Sequence, residues 1–209
     1  MGLRALWEAK VLPTLIDRVC GSRAIWAERK RWIPEASGEV LEVGIGSGRN
    51  LSVYDRAKVQ RVVGVDPSAP LLELTRARAA QLPFPVELTA APAERLPFDA
   101  GRFDTAVITY TLCSVRSPSE VLSEVRRVLR PGGKLVFLEH GAAPDPSARR
   151  WQARLTPLWR HVSGNCHLDR DVRAALEAAG FGIDEIESHY ADEGPRWFTY
   201  TSGGVASAR

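Results

Sequence analysis

The stretch Val40-Leu41-Glu42-Val43-Gly44-Ile45-Gly46-Ser47-Gly48-Arg49-Asn50 runs from an apolar segment into three glycines at alternate positions. A short run of Val and Leu bounded by glycine reads as a buried strand. Glycine there lets the backbone turn sharply out of the strand and approach a ligand where a Cβ would clash. The spacing is GxGxG, whereas a dinucleotide site wants GxGxxG and a phosphate loop wants a lysine, so the segment argues against NAD and against a triphosphate cradle. A tight strand-to-helix turn without a ligand is the structural alternative.

Outward from this loop the chain alternates strands with helices. EVLEV, RVVGVD, PVELTA, FDTAVITY and GKLVFLEH are short, rich in branched and aromatic residues, and bounded by Gly, Pro or Asp. Between the fourth and fifth lies a helix with its start and stop written in: Ser117 as cap, Pro118 at the first position, Glu120 completing a capping box, and Pro131-Gly132-Gly133 beyond its end. Val121, Leu122, Val125, Val128 and Leu129 form its apolar face. Strand-helix repetition requires a parallel sheet covered on both faces. The expected fold is α/β, doubly wound and Rossmann-like, with a mostly parallel seven-stranded sheet. After the fifth strand come a Trp-rich helix around Trp151 and Trp159, a helix from about Asp169 to Ala179 ended by Gly180, and then IDEIESHY and RWFTYTS, expected as an antiparallel hairpin at the sheet edge. The terminal SGGVASAR lacks packing residues and is expected as a tail.

A chain of 209 residues with 44% hydrophobic content can bury one sizeable core, and one domain is expected: residues 1–36 as a helical cap, 37–209 as the core. The net charge of +3 is modest and its cations are interspersed with acids, so nucleic acid is not indicated as a partner. Cys20, Cys113 and Cys166 offer neither a disulfide framework nor a CxxC metal pair, which suits a reducing cytoplasm with no metal. No run approaches the roughly 18 to 20 apolar residues that span a bilayer.

Asp66 follows RVVGVD at the carboxyl edge of the sheet, where ligands bind in such folds, and a carboxylate there accepts hydrogen bonds from both hydroxyls of a ribose. Its structural alternative is a helix-start aspartate before Pro67-Ser68. The chain resembles the class I methyltransferases that use S-adenosylmethionine (SAM). Glu42 to Gly48 matches their first motif, Asp66 their acidic residue after the second strand, Ala93-Glu94-Arg95-Leu96-Pro97-Phe98 their segment after the third, and Leu129-Arg130-Pro131-Gly132-Gly133 their turn before the fifth. That resemblance implies SAM as cofactor and S-adenosylhomocysteine as product, held by Glu42, Gly44, Gly46, Gly48, Asn50, Asp66, Pro67, Ala93, Glu94 and Thr109. Many relatives carry Asp where this chain has Pro92, so backbone groups would serve the adenine.

More narrowly, TLCSVRSPSEVLSEVRRVLRPGGKLVFLEHG, Trp151-Gln152, Gly164-Asn165-Cys166-His167-Leu168, Asn50 and Tyr54 are similar to the thiol S-methyltransferases of the mammalian methyltransferase-like group and their bacterial relatives. The mammalian members carry a hydrophobic N-terminal anchor, which is not expected here. Methyl transfer from a sulfonium needs in-line geometry and exclusion of water, and no metal. A thiol with an unperturbed pKa around 8.5 gains from a base or cationic donor, for which His140, His167 and Glu139 are the candidates. Tyr110, Trp151 and Cys166 are candidate substrate contacts. Each has a plainer role as packing, cap or turn residue.

Leu3, Leu6, Trp7, Val11, Leu12, Leu15, Ile16 and Val19 recur at helical spacing, with Pro13 as a kink. This helix is expected to cap the cofactor site; the alternative is peripheral membrane contact aided by Arg4, Lys10 and Arg18, against which Glu8 and Asp17 dilute the basic face. Three functions stand at this level. One is methyl transfer to a small acceptor, a thiol or hydrosulfide; another is methyl transfer to a quinone precursor, phenol or phospholipid amine; the third is SAM binding without catalysis.

Overall fold

The computed structural model describes residues 12–192 and 194–208. Leu3, Arg4, Leu6, Trp7, Glu8, Lys10 and Val11 of the expected N-terminal helix lie outside these. The strands β1 (Gly38–Val43), β2 (Val59–Val65), β3 (Val86–Thr89), β4 (Phe103–Thr109) and β5 (Leu129–His140) pair in parallel. With β6 (Phe181–Tyr190) and β7 (Tyr200–Ala208) they form a seven-stranded sheet ordered β3-β2-β1-β4-β5-β7-β6, in which β7 runs antiparallel to both neighbours. The helices are α1 (Leu12–Cys20), α2 (Arg23–Trp32), α3 (Ala69–Ala79), α4 (Pro118–Val128), α5 (Pro146–Val162), α6 (Val172–Ala178) and the single turn α7 (Arg196–Thr199). No helix of the described residues is long and apolar enough to cross a membrane.

Strand alternation divides the core between the two faces of the sheet. Leu135 and Phe137 of β5 point to the layer holding Val121, Leu122 and Val125 of α4 and Leu176 of α6. Val136 and Leu138 point to the other, with Trp32, Ile33 and Leu72. The α4 cap forms as its sequence demands, the Glu120 N–H donating to Ser117 Oγ at 3.3 Å. The helix expected from Asp169 starts at Val172, because Asp171 takes the cap and accepts from the Ala174 N–H at 3.0 Å.

The carboxyl-terminal segment departs from the expectation in two ways. Arg196 to Thr199 of RWFTYTS turn helically, and the supposed tail is a strand wedged between β5 and β6. Its glycines explain both the misreading and the fit. A Cβ on Gly203 would lie 2.3 Å from Trp32 Nε1, and one on Gly204 would lie 2.1 Å from the Glu185 carbonyl oxygen. The strand supplies no large side chain there because Trp32 and Phe137 already fill the space.

Candidate functional site

β1 lies between β2 and β4, so connections leave in opposite directions and a crevice opens at the carboxyl ends of these strands. The glycine loop forms its floor. Gly44, Gly46 and Gly48 hold φ of +71°, +56° and +76°, and a Cβ on Gly44 would meet Thr111 Oγ1 at 2.2 Å. The loop is pinned to β2: the Gly44 and Ile45 N–H groups both donate to the Val65 carbonyl, at 2.8 and 3.1 Å. Asp66 holds its tip, Oδ2 accepting from the Gly46 N–H at 3.0 Å and Oδ1 from the Ser68 N–H at 2.8 Å. Burial pushes this carboxyl up, and the two amides oppose the rise. Each oxygen retains a lone pair for a further donor.

The resulting cleft has a volume of about 610 Å³. Among the residues expected to hold a cofactor, Gly44, Gly46, Asp66, Pro67, Ala93, Glu94 and Thr109 line it, as does Tyr110 from the expected substrate set. Glu94 also braces the far wall, accepting from the Arg116 N–H at 2.9 Å.

Glu42, Gly48 and Asn50 do not line the cleft; they lie beneath it. Asn50 Nδ2 donates to Glu42 Oε1 at 2.9 Å and to Thr109 Oγ1 at 3.1 Å, while the Tyr54 hydroxyl donates to Glu42 Oε2 at 2.7 Å. Arg29 of α2 closes the network, donating to Asn50 Oδ1 and to Thr109 Oγ1. Burial raises Glu42 to about 7, against the lowering effect of Tyr54, Arg29 and Asn50. These groups therefore support the loop from behind. Arg29 itself lines the cleft, 4% exposed, with its guanidinium 5.7 Å from the Tyr110 ring centre and its buried Nε–H without a hydrogen-bond partner among the described residues. No periodic signal in RAIWAERKRW marked it.

The expected catalytic set is placed differently from its expectation. Glu139 is fully buried and accepts from the N–H groups of Thr111, Leu112 and Cys113, at 2.5, 2.8 and 3.4 Å. Burial lifts it to about 7 in spite of these amides. It fixes the loop after β4 and does not line the cleft. His140 Nε2 is 3.1 Å from Cys166 Sγ, with its ring stacked near Tyr110 at 6.1 Å between centres, so it stands behind Tyr110. His167 donates its backbone N–H to the Cys113 carbonyl at 2.8 Å and is absent from the cleft wall, as is Cys166. Trp151 is 52% exposed on α5, while its neighbour Gln152 is buried and bridges the Ala143 N–H to the Gly141 carbonyl, both at 2.9 Å.

Cys113, His140 and Cys166 come together from three separate segments, with ligand atoms all within 4.8 Å of one another. The Cys166 thiol is held low by a hydrogen bond from Cys113 and by His140, while Cys113 is pushed up by donating to it and by burial. Linear spacing gave no sign of this cluster, because the residues are neighbours only across the folded loops.

Part of the cover comes from α1. Ile16 and Cys20 line the cleft, and Asp17 clamps the helix to the glycine loop, accepting from Ser47 Oγ at 2.5 Å, Arg49 Nε at 2.8 Å and Arg78 Nη1 at 3.1 Å. Burial alone would raise Asp17, but these hydrogen bonds outweigh it and hold the carboxyl well below the usual range.

The cleft thus joins a carboxylate held by two amides, a buried guanidinium and a glycine loop shaped for close backbone approach. Residues 41–137 match the methyltransferase domain family model. The chain is 43% identical over 159 residues to the human thiol S-methyltransferase TMT1B, an overlap that covers 73% of this chain and 64% of that protein, so it spans less than two thirds of that relative's length. It is 35% identical over 185 residues to the demethylmenaquinone methyltransferase of Clavibacter sepedonicus, covering 79% of this chain and 75% of that one. Its fold is similar to geranyl diphosphate C-methyltransferase from Streptomyces coelicolor A3(2), solved with S-adenosyl-L-homocysteine, at a TM-score of 0.70 and 18% identity over 88% of this chain and 79% of that one. With the glycine loop and Asp66 in register at the sheet's switch point, the chain belongs to the class I SAM-dependent methyltransferases.

Proposed function

We propose that this protein is a SAM-dependent methyltransferase whose acceptor is the sulfur of a small thiol or hydrosulfide. The observation that carries the acceptor class is the 43% identity to a thiol S-methyltransferase over 73% of the chain. SAM supplies an electrophilic methyl group on a sulfonium; the chain's work is to hold, orient and dry the site. Asp66 accepts hydrogen bonds from the ribose hydroxyls with the lone pairs that Gly46 and Ser68 leave over. The backbone of Gly44 to Gly46 approaches the methionyl portion, the Arg29 side chain at the cleft wall attracts the carboxylate end, and Ala93 and Glu94 flank the adenine. Tyr110, Thr111, Ser114 and Asn165 then face the acceptor. Residues Ile16 and Cys20 of α1 exclude water from above.

The identity to demethylmenaquinone methyltransferases supports a second reading, carbon methylation of a quinone precursor. A screen with isotopically labelled SAM against alkyl thiols, hydrosulfide, phenols and quinone precursors separates them. Label in a thioether is the expected result. Label only in a quinone precursor discards the thiol reading, and failure to bind SAM at millimolar concentration discards both.

A further inference from the structure

Outside the cleft, the densest group of metal-ligating atoms among the described residues is the triad Cys113 Sγ, His140 Nε2 and Cys166 Sγ. We propose that it is a site for a soft divalent cation of the zinc class, with an open fourth position that takes the acceptor's sulfur. The second half rests on the thiol reading above.

Geometry comes first. Zinc bonds of about 2.3 Å to sulfur and 2.0 Å to nitrogen place tetrahedral ligands about 3.5 to 3.8 Å apart. The triad's atoms lie within 4.8 Å of one another and the His140–Cys166 pair is at 3.1 Å, so shifts of an ångström or less complete the three corners. Two thiolates and an imidazole suit a soft or borderline ion over Mg²⁺ or Ca²⁺, and two thiolates neutralise its charge in a buried place.

The arms that carry the ligands are fixed. Glu139 binds the three amides of Thr111 to Cys113. The Cys166 arm is tied to the same loop by the His167 N–H on the Cys113 carbonyl at 2.8 Å and by Asn165 Nδ2 on the Ser114 carbonyl at 2.8 Å. His140 leaves the end of β5. A site preorganised from three segments loses little entropy on closing. Trp159 packs against the two cysteines with its buried indole N–H toward Cys166, where it helps hold that thiol low, a donor suited to an anionic sulfur.

Three protein ligands are the pattern of a metal centre with one position left for a reactant. The triad adjoins the cleft wall. Ser114, which lines the cleft, has its Oγ 3.4 Å from Cys113 Sγ; Tyr110 stacks on His140; Asn165 precedes Cys166. An acceptor R–SH entering here loses its proton to solvent as its sulfur binds the cation. A sulfur lone pair then forms the S–CH₃ bond as the sulfonium C–S bond breaks, its electron pair leaving with the neutral thioether.

The test is a Co(II) titration of the metal-stripped, full-length protein under reducing conditions. One equivalent should give thiolate-to-cobalt charge-transfer absorption and tetrahedral d–d bands. The charge-transfer band should weaken in Cys113→Ser and in Cys166→Ser, and the d–d bands should shift when a small alkyl thiol is added. The unmodified protein alone decides the metal, so a variant that fails to fold leaves the test intact. Absence of these bands overturns the site whatever the methylation assay shows, and so does a Cys113–Cys166 disulfide as the resting state, two mass units lighter. Tetrahedral bands indifferent to thiol overturn the fourth-position claim. Thiol-responsive bands without thiol methylation support the site and count against the proposed function.

Discussion

Replacing Asp17 by Asn should release α1 from the glycine loop without changing its shape. The carboxylate takes hydrogen bonds from Ser47, Arg49 and Arg78, and the side chains of Asp17, Arg49 and Arg78 are 19%, 27% and 35% exposed. A hydrogen bond to a buried charged group contributes roughly 1.5 to 3 kcal/mol, whereas an exposed ion pair contributes about 0.2 to 1 kcal/mol. Partial exposure places the clamp between these limits, and an amide oxygen still accepts one of the bonds. A loss of about 2 kcal/mol follows, which raises the opening equilibrium of α1 roughly 30-fold.

Native-state hydrogen exchange on peptides covering residues 12–22 measures this opening directly, with β1 as the internal reference. Raising ionic strength should move the parent protein part of the way toward the variant. Because the folded pKa of Asp17 is depressed, the clamp is fully present above the ordinary carboxylate value and is lost only as pH falls through the lower folded one. Lowering pH from 8 to 5 should therefore leave the intrinsic-rate-corrected protection of α1 unchanged. Exchange of the variant within threefold of the parent would refute the reasoning.

Two further outcomes follow from the same geometry. Asp66→Ala should weaken SAM by roughly 1 to 3 kcal/mol through lost charge-assisted hydrogen bonds, measured by calorimetry on the folded variant; unchanged affinity removes Asp66 from the ribose site. Glu42, raised by burial from 4.5 to about 7, holds a proton in the folded chain that the unfolded chain has released, so stability falls as pH rises from about 5 to about 7. That rise corresponds to roughly 3 kcal/mol at most; Glu42→Gln should lessen the pH dependence of urea midpoints over this window, with Glu139, also raised to about 7, keeping the remainder, and identical slopes in both proteins would dispose of the assignment.

The glycine-loop wall of the cleft was legible because it is built by local rules. Gly44 and Gly46 need positive φ at the end of a strand, and Asp66 follows the next strand by topology, so short motifs encode them. The five parallel strands were legible for the same reason. What could not be read are the features set by distant partners. Gly203 and Gly204 look like tail until Trp32 and Phe137 are seen to occupy the space beside them. Glu139 reads as a catalytic carboxylate until three amides from the β4 loop are found on it. Arg29 carries no periodic signal because it is a charged residue on a buried face, placed there by Asn50 and Thr109.

Cap and lipid contact were posed for the N-terminal helix as alternatives, and the described part of that helix has two unlike faces. Ile16, Asp17 and Cys20 turn to the cleft or its loop, while Leu15 and Val19 are 45% and 43% exposed. The cap also touches the opposite cover. A Cβ on Gly164, just before Asn165 and Cys166, would lie 3.4 Å from Leu12 Cδ2 and 3.9 Å from Ile16 Cδ1. The cover from the chain's start and the loop that carries Cys166 therefore meet over the cleft, beyond the strand ends that hold the cofactor motifs. Motifs at the strand ends can fix the cofactor while the two covers fix what reaches it, which is why family membership follows from residues 41–137 and the acceptor does not.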